Sequence, residues 1–118
     1  MDFDAQSLKK RIDNDIVFIR EVLKKSIPTL RERLKVLNEA WYKRELSTIH
    51  DTAHSIKGLA QMLSFEQLSD CSQIMEKESR YALNSGAGFY DAFTTNPDQL
   101  EDALNRAEKA YLESELAP

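Results

Sequence analysis

Apolar residues recur every three or four positions along the first half of the chain. One such series lies between Asp15 and Trp41 and comprises Ile16, Ile19, Leu23, Ile27, Leu30, Leu34, Leu37 and Trp41. Because only a helix keeps this spacing on one face, the pattern predicts one long amphipathic helix. Proline removes a backbone donor and crowds the preceding turn, so we expect a kink between Lys24 and Pro28, or a break there.

Two more series of the same spacing follow. The first comprises Leu46, Ile49, Ala53, Ile56, Ala60 and Leu63, and it predicts a helix from about Glu45 to Ser64. The next comprises Phe65, Leu68, Cys71, Met75 and Ala82 and predicts a third main helix. Leu8 and Ile12 indicate a short helix ahead of the long one.

The last helix has a recognisable start. Asn96 is a capping residue, Pro97 suits the first helical position, and Gln99 stands three residues after the cap. The apolar series that follows is Leu100, Leu104, Ala107 and Tyr111. Gly86 and Gly88 lie in the stretch before it, so residues 84–95 are predicted to be a loop.

No alternating pattern of useful length predicts a strand, and the connections between the helices are mostly short. The expected fold is therefore all-α: an antiparallel four-helix bundle with a short additional N-terminal helix. With 118 residues, of which 42% are apolar, the chain has the size of one domain over residues 1–118.

Charge and composition exclude several classes of function. The net charge of −4 gives no positive field to hold a nucleic acid. No run of eighteen apolar residues exists, and charged residues interrupt the first twenty positions, so neither a membrane span nor a signal peptide is expected. The single cysteine, Cys71, cannot form an internal disulfide and fits a reducing compartment, which favours a cytoplasmic protein.

Both histidines lie on the helix predicted over residues 45–64. With about 100° of rotation per residue, polar residues form one stripe beside the apolar face, at roughly 90° for His50, 130° for His54, 70° for Lys57 and 110° for Gln61 from the core direction. His54 is thus expected to project into solvent.

Gly58 lies nearly opposite the core on the same helix. A glycine in mid-helix costs about 1 kcal/mol relative to alanine, and at this position it gains nothing from internal packing. A missing side chain next to an exposed histidine instead leaves room for another macromolecule. Met62 also faces outward and is expected to belong to the same docking patch.

The hexapeptide Ala53-His54-Ser55-Ile56-Lys57-Gly58 closely resembles the AHxhKG signature of histidine phosphotransfer domains, in which h is apolar. Leu68 matches a leucine that usually follows the signature, and Met75-Glu76 stands where the family has a Leu-Glu pair. A proline-containing long helix, a turn and then the signature helix are also similar to the family, so the resemblance covers the chain from about Asp13.

The chain departs from the family at three positions. Ser64 stands where glycine is usual, ten residues beyond the histidine, and Leu59 and Met62 are bulkier than the small residues common there. These departures bear on the shape of the docking surface and hence on partner identity, and the sequence leaves their effect open. The phosphorylation signature itself is intact.

The resemblance implies a phosphorelay intermediate. In this role Nε2 of His54 accepts a phosphoryl group from a receiver-domain aspartate and transfers it to another receiver, so the partners are receiver domains of hybrid sensor kinases and response regulators. The chain itself needs no cofactor, since Mg²⁺ is expected on the receiver. Without GxxxxGK[ST] or GxGxxG it has no nucleotide site, and we expect a phosphoryl carrier rather than an enzyme.

The resemblance also implies roles for neighbouring residues. Lys57 would offset the charge of the phosphoryl group, and His50, Gly58, Gln61 and Met62 would dock the receiver. Glu76 has two alternative roles: an exposed charge, or a hydrogen-bond partner of the second imidazole nitrogen, which would fix the tautomer. A monomeric, free-standing carrier is expected, although an excised domain would have the same sequence.

Two other functions are compatible with a helical bundle. A module of the same fold could dock a receiver or kinase without carrying phosphate, but the intact His54, Lys57 and Gly58 argue against it. His50 and His54 form an i, i+4 pair that could share a metal ion. This second alternative lacks the third or fourth ligand that a zinc site needs and the inward carboxylates of di-iron bundles.

Overall fold

The computed structural model describes all residues, 1–118, and every regular element in it is a helix. The six helices are α1 (Ala5–Arg11), α2 (Ile16–Tyr42), α3 (Leu46–Met62), α4 (Glu66–Ser85), α5 (Phe89–Ala92) and α6 (Pro97–Leu112). The predicted all-α class is confirmed, and every helix expected from the sequence is present. No helix is both long and apolar enough to cross a bilayer.

The four long helices enclose one hydrophobic core. Helix α2 contacts α3 and α6, and α4 contacts the same two helices, so the contacts form a closed ring around the core. The molecule measures 47 × 21 × 18 Å. Its length follows that of α2, since 27 residues rise by about 40 Å in an α-helix.

Helix α2 continues through Pro28, so the predicted alternative of a break there is wrong. A proline in a helix interior costs about 3 kcal/mol. Leu23, Ile27 and Leu30 are buried on both sides of it, and burying each such side chain stabilises the fold by about 1.5–3 kcal/mol. Packing of the apolar face therefore outweighs the local cost of the proline.

The prediction of a loop over residues 84–95 is wrong in part. Helix α4 continues to Ser85 and ends at Gly86, which has the left-handed φ of 69° that favours glycine. The one-turn helix α5 then follows. Its Phe89 ring and the Phe93 ring pack on Trp41 with centroids 4.9 Å and 4.8 Å apart. Aromatic burial, which the turn-forming residues do not reveal, orders this segment.

The start of α6 agrees with its prediction. The Asn96 side chain accepts from the Gln99 backbone N–H at 3.1 Å, and the Gln99 side chain accepts from the Asn96 N–H at 3.2 Å. Just before it, the carboxylate of Glu78 accepts hydrogen bonds from the backbone and hydroxyl groups of Thr94 and Thr95. These bonds fix the connection between α5 and α6 to α4.

The N-terminal segment closes one end of the bundle. Phe3 is buried, with its ring in edge contact with those of Phe65 and Tyr111. The Asp4 backbone N–H donates to the carbonyl of Ser64 at 2.9 Å. The segment is thereby attached to the turn between α3 and α4, at the end of the helix that contains His54.

Candidate functional site

Helix α3 holds His54 on its solvent face. Ile49, Ala53, Ile56 and Ala60 form the buried face of this helix, as the periodicity predicts. The side chain of His54, between the buried Ala53 and Ile56, is 65% exposed. The expected outward projection of this histidine is confirmed.

One nitrogen of the His54 ring contacts a buried carboxylate on the neighbouring helix. Nδ1 lies 2.8 Å from Oε1 of Glu76 on α4, and Glu76 is buried. Of the two alternatives for Glu76, the structure therefore has the hydrogen-bonded one. An ionised carboxylate only accepts, so Nδ1 carries the proton and donates, and Nε2 keeps its lone pair. This is the tautomer that a nucleophilic Nε2 requires.

Two cations compensate the buried charge of Glu76. The ammonium of Lys57 lies 2.7 Å from Oε2. A guanidinium nitrogen of Arg80 lies 3.4 Å from Oε1. Burial alone would raise the pKa of Glu76, but the hydrogen bonds and charges of Lys57 and His54 outweigh it and lower the pKa. Glu76 is thus ionised at neutral pH.

Lys57 is less free than the sequence suggests. Its side chain is only 20% exposed, and its ammonium is on Glu76. In the unphosphorylated protein the ammonium of Lys57 is therefore already paired with the Glu76 carboxylate. The expected role of Lys57 in offsetting phosphate charge remains a prediction.

His50 lies one turn before His54 and is mostly covered, with a side chain 24% exposed. Its Nδ1 faces the Asp51 carboxylate at 3.1 Å, and its Nε2 faces the Arg80 guanidinium at 3.4 Å. His50 thus presents little surface for docking. Sequence reasoning missed Arg80, although its position four residues after Glu76 predicts an i, i+4 ion pair beside the site.

The comparisons with known proteins support the same interpretation. The family model of the Hpt domain matches residues 21–110, which is more than half of the chain. The chain belongs to the Hpt domain family. Neither the comparison with curated proteins nor that with solved structures finds a significant match. As an Hpt domain, the chain is a histidine phosphotransfer module of two-component signalling. Members of this family generally interact with receiver domains.

The exposed face of the Hpt domain beside His54 contains three of the four residues expected to dock a receiver. Gly58, Gln61 and Met62 are all exposed on α3. A Cβ atom added at Gly58 would meet nothing within 4 Å. Packing inside this molecule therefore does not require a glycine there.

Two of the three departures from the family are wholly or partly buried. Ser64 is buried at the end of α3 with a left-handed φ of 59°, where its N–H and that of Phe65 close the helix onto the carbonyls of Gln61 and Ala60. Leu59 packs against the core. The family's glycine at position 64 thus matches a backbone requirement that Ser64 meets with a left-handed φ.

A cationic side chain from α1 lies at the C-terminal end of α3. The Arg11 guanidinium donates to the carbonyls of Gln61 and Met62, the second at 3.0 Å. A cation at a helix C-terminus complements the helix dipole. This end of the exposed face is therefore capped by the N-terminal segment.

The structure gives no support to a shared metal ion. No group of three or more His, Cys, Asp or Glu side chains converges on a point that could hold a metal. The Nδ1 atoms of His50 and His54 also face different carboxylates, those of Asp51 and Glu76. The two histidines thus belong to separate hydrogen-bond pairs.

Proposed function

We propose that this Hpt domain is a phosphorelay intermediate. His54 accepts a phosphoryl group from the aspartate of one receiver domain and transfers it to the aspartate of another. The observation that carries the proposal is the exposed imidazole of His54, whose Nδ1 is 2.8 Å from the buried carboxylate of Glu76. This arrangement orients the ring and leaves Nε2 facing solvent as the nucleophile.

In the transfer step the Nε2 lone pair attacks the phosphorus of an aspartyl phosphate. The P–O bond breaks and its electron pair returns to the aspartate carboxylate, while an N–P bond forms. Nδ1 keeps its proton, so the product is a positively charged ring, which the adjacent Glu76 carboxylate stabilises. The charge on the transferring group is neutralised by the receiver's metal ion and lysine. The reverse step regenerates the neutral ring.

The exposed face of α3 supports the docking part of the proposal. The gap at Gly58 lets a receiver approach, and Met62 gives it an adaptable apolar contact next to Gln61. Lys57 is close enough to Glu76 to keep the resting site near neutrality. A dianionic phosphoryl group on His54 would attract the same lysine.

We also propose the scaffold expected from the sequence: an antiparallel four-helix bundle forming a single domain over residues 1–118. The ring of contacts among the long helices supports it, as does one core that includes both Phe3 and Leu116. A monomer in the cytoplasm remains part of the proposal, because the site is complete within one chain and the lone Cys71 suits a reducing compartment.

Transfer of label from a phosphorylated receiver tests the proposed function. The wild-type protein should gain label from at least one member of a receiver panel, and the receiver should lose it. His54→Gln should abolish labelling without changing helix content. His50→Gln should still become labelled, which separates the only two histidines of the chain. Label retained by His54→Gln, or absent from wild type with the whole panel, would contradict the proposal.

A further inference from the structure

Arg80 lies beside the candidate phosphoacceptor but is held loosely. Its NH2 group is 3.4 Å from Oε1 of Glu76 and 3.4 Å from Nε2 of His50. Both contacts are longer than the 2.7–2.9 Å of a strong charge-assisted hydrogen bond. The side chain is 57% exposed. Arg80 is therefore a cation next to His54 that can move at little cost.

Lys57 is the other cation of the site, and it is bound more tightly. Its ammonium is 2.7 Å from Oε2 of Glu76, and its side chain is mostly covered. Withdrawing Lys57 would leave the buried carboxylate of Glu76 with less compensation, which is unfavourable in a low-dielectric environment. Withdrawing Arg80 would leave Glu76 still paired with Lys57 and His54. The geometry thus favours Arg80 as the cation that can respond to a new negative charge.

We propose that Arg80 binds the phosphoryl group on His54, with His50 as the positioning residue that holds its guanidinium beside the site before transfer. The inference rests on the proposed function and adds a residue to it. The shared oxygen Oε1 of Glu76 places Arg80 next to the His54 ring. A guanidinium presents a planar fork of donors that matches two phosphoryl oxygens, which a lysine cannot do.

The contacts of His50 explain how it positions Arg80. Its Nδ1 faces the carboxylate of Asp51, which only accepts, so Nδ1 carries the proton. Nε2 is then an acceptor, and it faces the Arg80 guanidinium on α4. His50 and Glu76 thus both contact the same NH2 group of the guanidinium, and Glu76 also contacts His54. Ordering the side chain in advance reduces the entropy lost when it binds a phosphoryl group.

The experiment measures the equilibrium of phosphoryl exchange between one phosphorylated receiver and the Hpt domain. Arg80→Ala should shift this equilibrium toward the receiver by roughly three- to tenfold, and Arg80→Lys by less. Arg106→Ala is the matched control, because Arg106 on α6 has a similarly exposed side chain, which pairs with Asp2 in the N-terminal segment. Its equilibrium should stay within a factor of two of wild type.

A ³¹P NMR titration gives a second readout, which a purely structural role would not move. Loss of a cation from the phosphoryl group should make the phosphohistidine signal of Arg80→Ala titrate at higher pH than that of wild type. His50→Ala alone should shift the exchange equilibrium toward the receiver. In the Arg80→Ala background it should cause no further shift, because His50 acts through Arg80.

The outcomes separate the two proposals. If the wild type is labelled and Arg80→Ala has the same exchange equilibrium and the same ³¹P titration, the role of Arg80 is overturned and the proposed function stays intact. An effect of Arg106→Ala as large as that of Arg80→Ala would also overturn it, since net charge would then be the cause. Failure of wild type to accept label from any receiver would overturn the proposed function and the role of Arg80 with it.

Discussion

At the scale of single residues, the site depends on a carboxylate that is buried and yet charged. Glu76 has the desolvation cost of a buried acid, and only its contacts with Lys57, His54 and Arg80 make ionisation favourable. This arrangement stabilises the fold and also fixes the His54 ring. Both effects require the ionised form of Glu76, so the pH at which this carboxylate titrates bears on each of them.

The stability contributed by Glu76 should disappear in acid. Its pKa in the folded protein lies below the ordinary value of 4.5, so the contribution is fully present above pH 4.5 and is lost as pH falls through the folded pKa. Glu76→Gln keeps an acceptor for His54 but removes the charge, and it should lower the free energy of unfolding by about 2 kcal/mol at pH 7.

Urea unfolding of both proteins between pH 7 and pH 3 measures this difference. We expect the curves of wild type and Glu76→Gln to converge as the pH falls below 4.5. A difference that stays constant over the whole range, or that widens in acid, would show that the Glu76 carboxylate is not stabilised by its partners.

At the scale of elements, α3 is a helix whose two faces serve different purposes. Its buried face packs against α2 and α4, whereas its open face combines the exposed His54 with a glycine that no internal contact requires. Gly58 weakens the helix in the isolated molecule. Under the proposed function, this loss of helix stability is offset by access of a partner to His54.

Filling the gap at Gly58 should separate stability from transfer. Gly58→Ala and Gly58→Gln should each raise the free energy of unfolding by up to about 1 kcal/mol, because both residues favour helix more than glycine does. Phosphoryl transfer from a receiver should become slower, and more so for the larger glutamine side chain. Thermal unfolding and stopped-flow transfer measure the two quantities; equal transfer rates in all three proteins would mean that the gap does not serve docking.

The elements also show how far the sequence predicts this molecule. The long helices follow from the period of apolar residues, and the start of α6 follows from Asn96 and Gln99. Helix α5 does not follow from the sequence pattern. Its order comes from the packing of Phe89 and Phe93 on Trp41, which is far from both of them in sequence. Continuity of α2 through Pro28 likewise depends on burial of its apolar face.

The same limit applies to the site. The exposure of His54 and Gly58 follows from rotation along a single helix, so the sequence suffices for it. The contact between His54 and Glu76, and the pairing of Lys57 with the same carboxylate, depend on the relative rotation of α3 and α4. Periodicity within one helix carries no information on that angle, which is why Glu76 had two alternative roles. The pairing of Arg80 with Glu76, by contrast, lies within α4 and follows from i, i+4 spacing.

At the scale of the whole molecule, the fold presents one histidine on the outside of an elongated helical structure. The family match covers residues 21–110, while the N-terminal segment lies outside it and closes the end of the bundle through Phe3. A rigid core beneath α3 and α4 holds His54 and Glu76 in register. Under the proposed function, a receiver would supply the metal ion and the reacting aspartate, whereas this chain itself would orient the imidazole.

The most direct test of this account is NMR of the phosphorylated protein with ¹⁵N-labelled histidine. The chain has only two histidines, so the ring nitrogens of each are assignable. We predict phosphorus coupled to Nε2 of His54, with Nδ1 still protonated and hydrogen-bonded to Glu76, and an unmodified His50. Phosphorylation at Nδ1 of His54, at His50 or at a residue other than histidine would contradict the account.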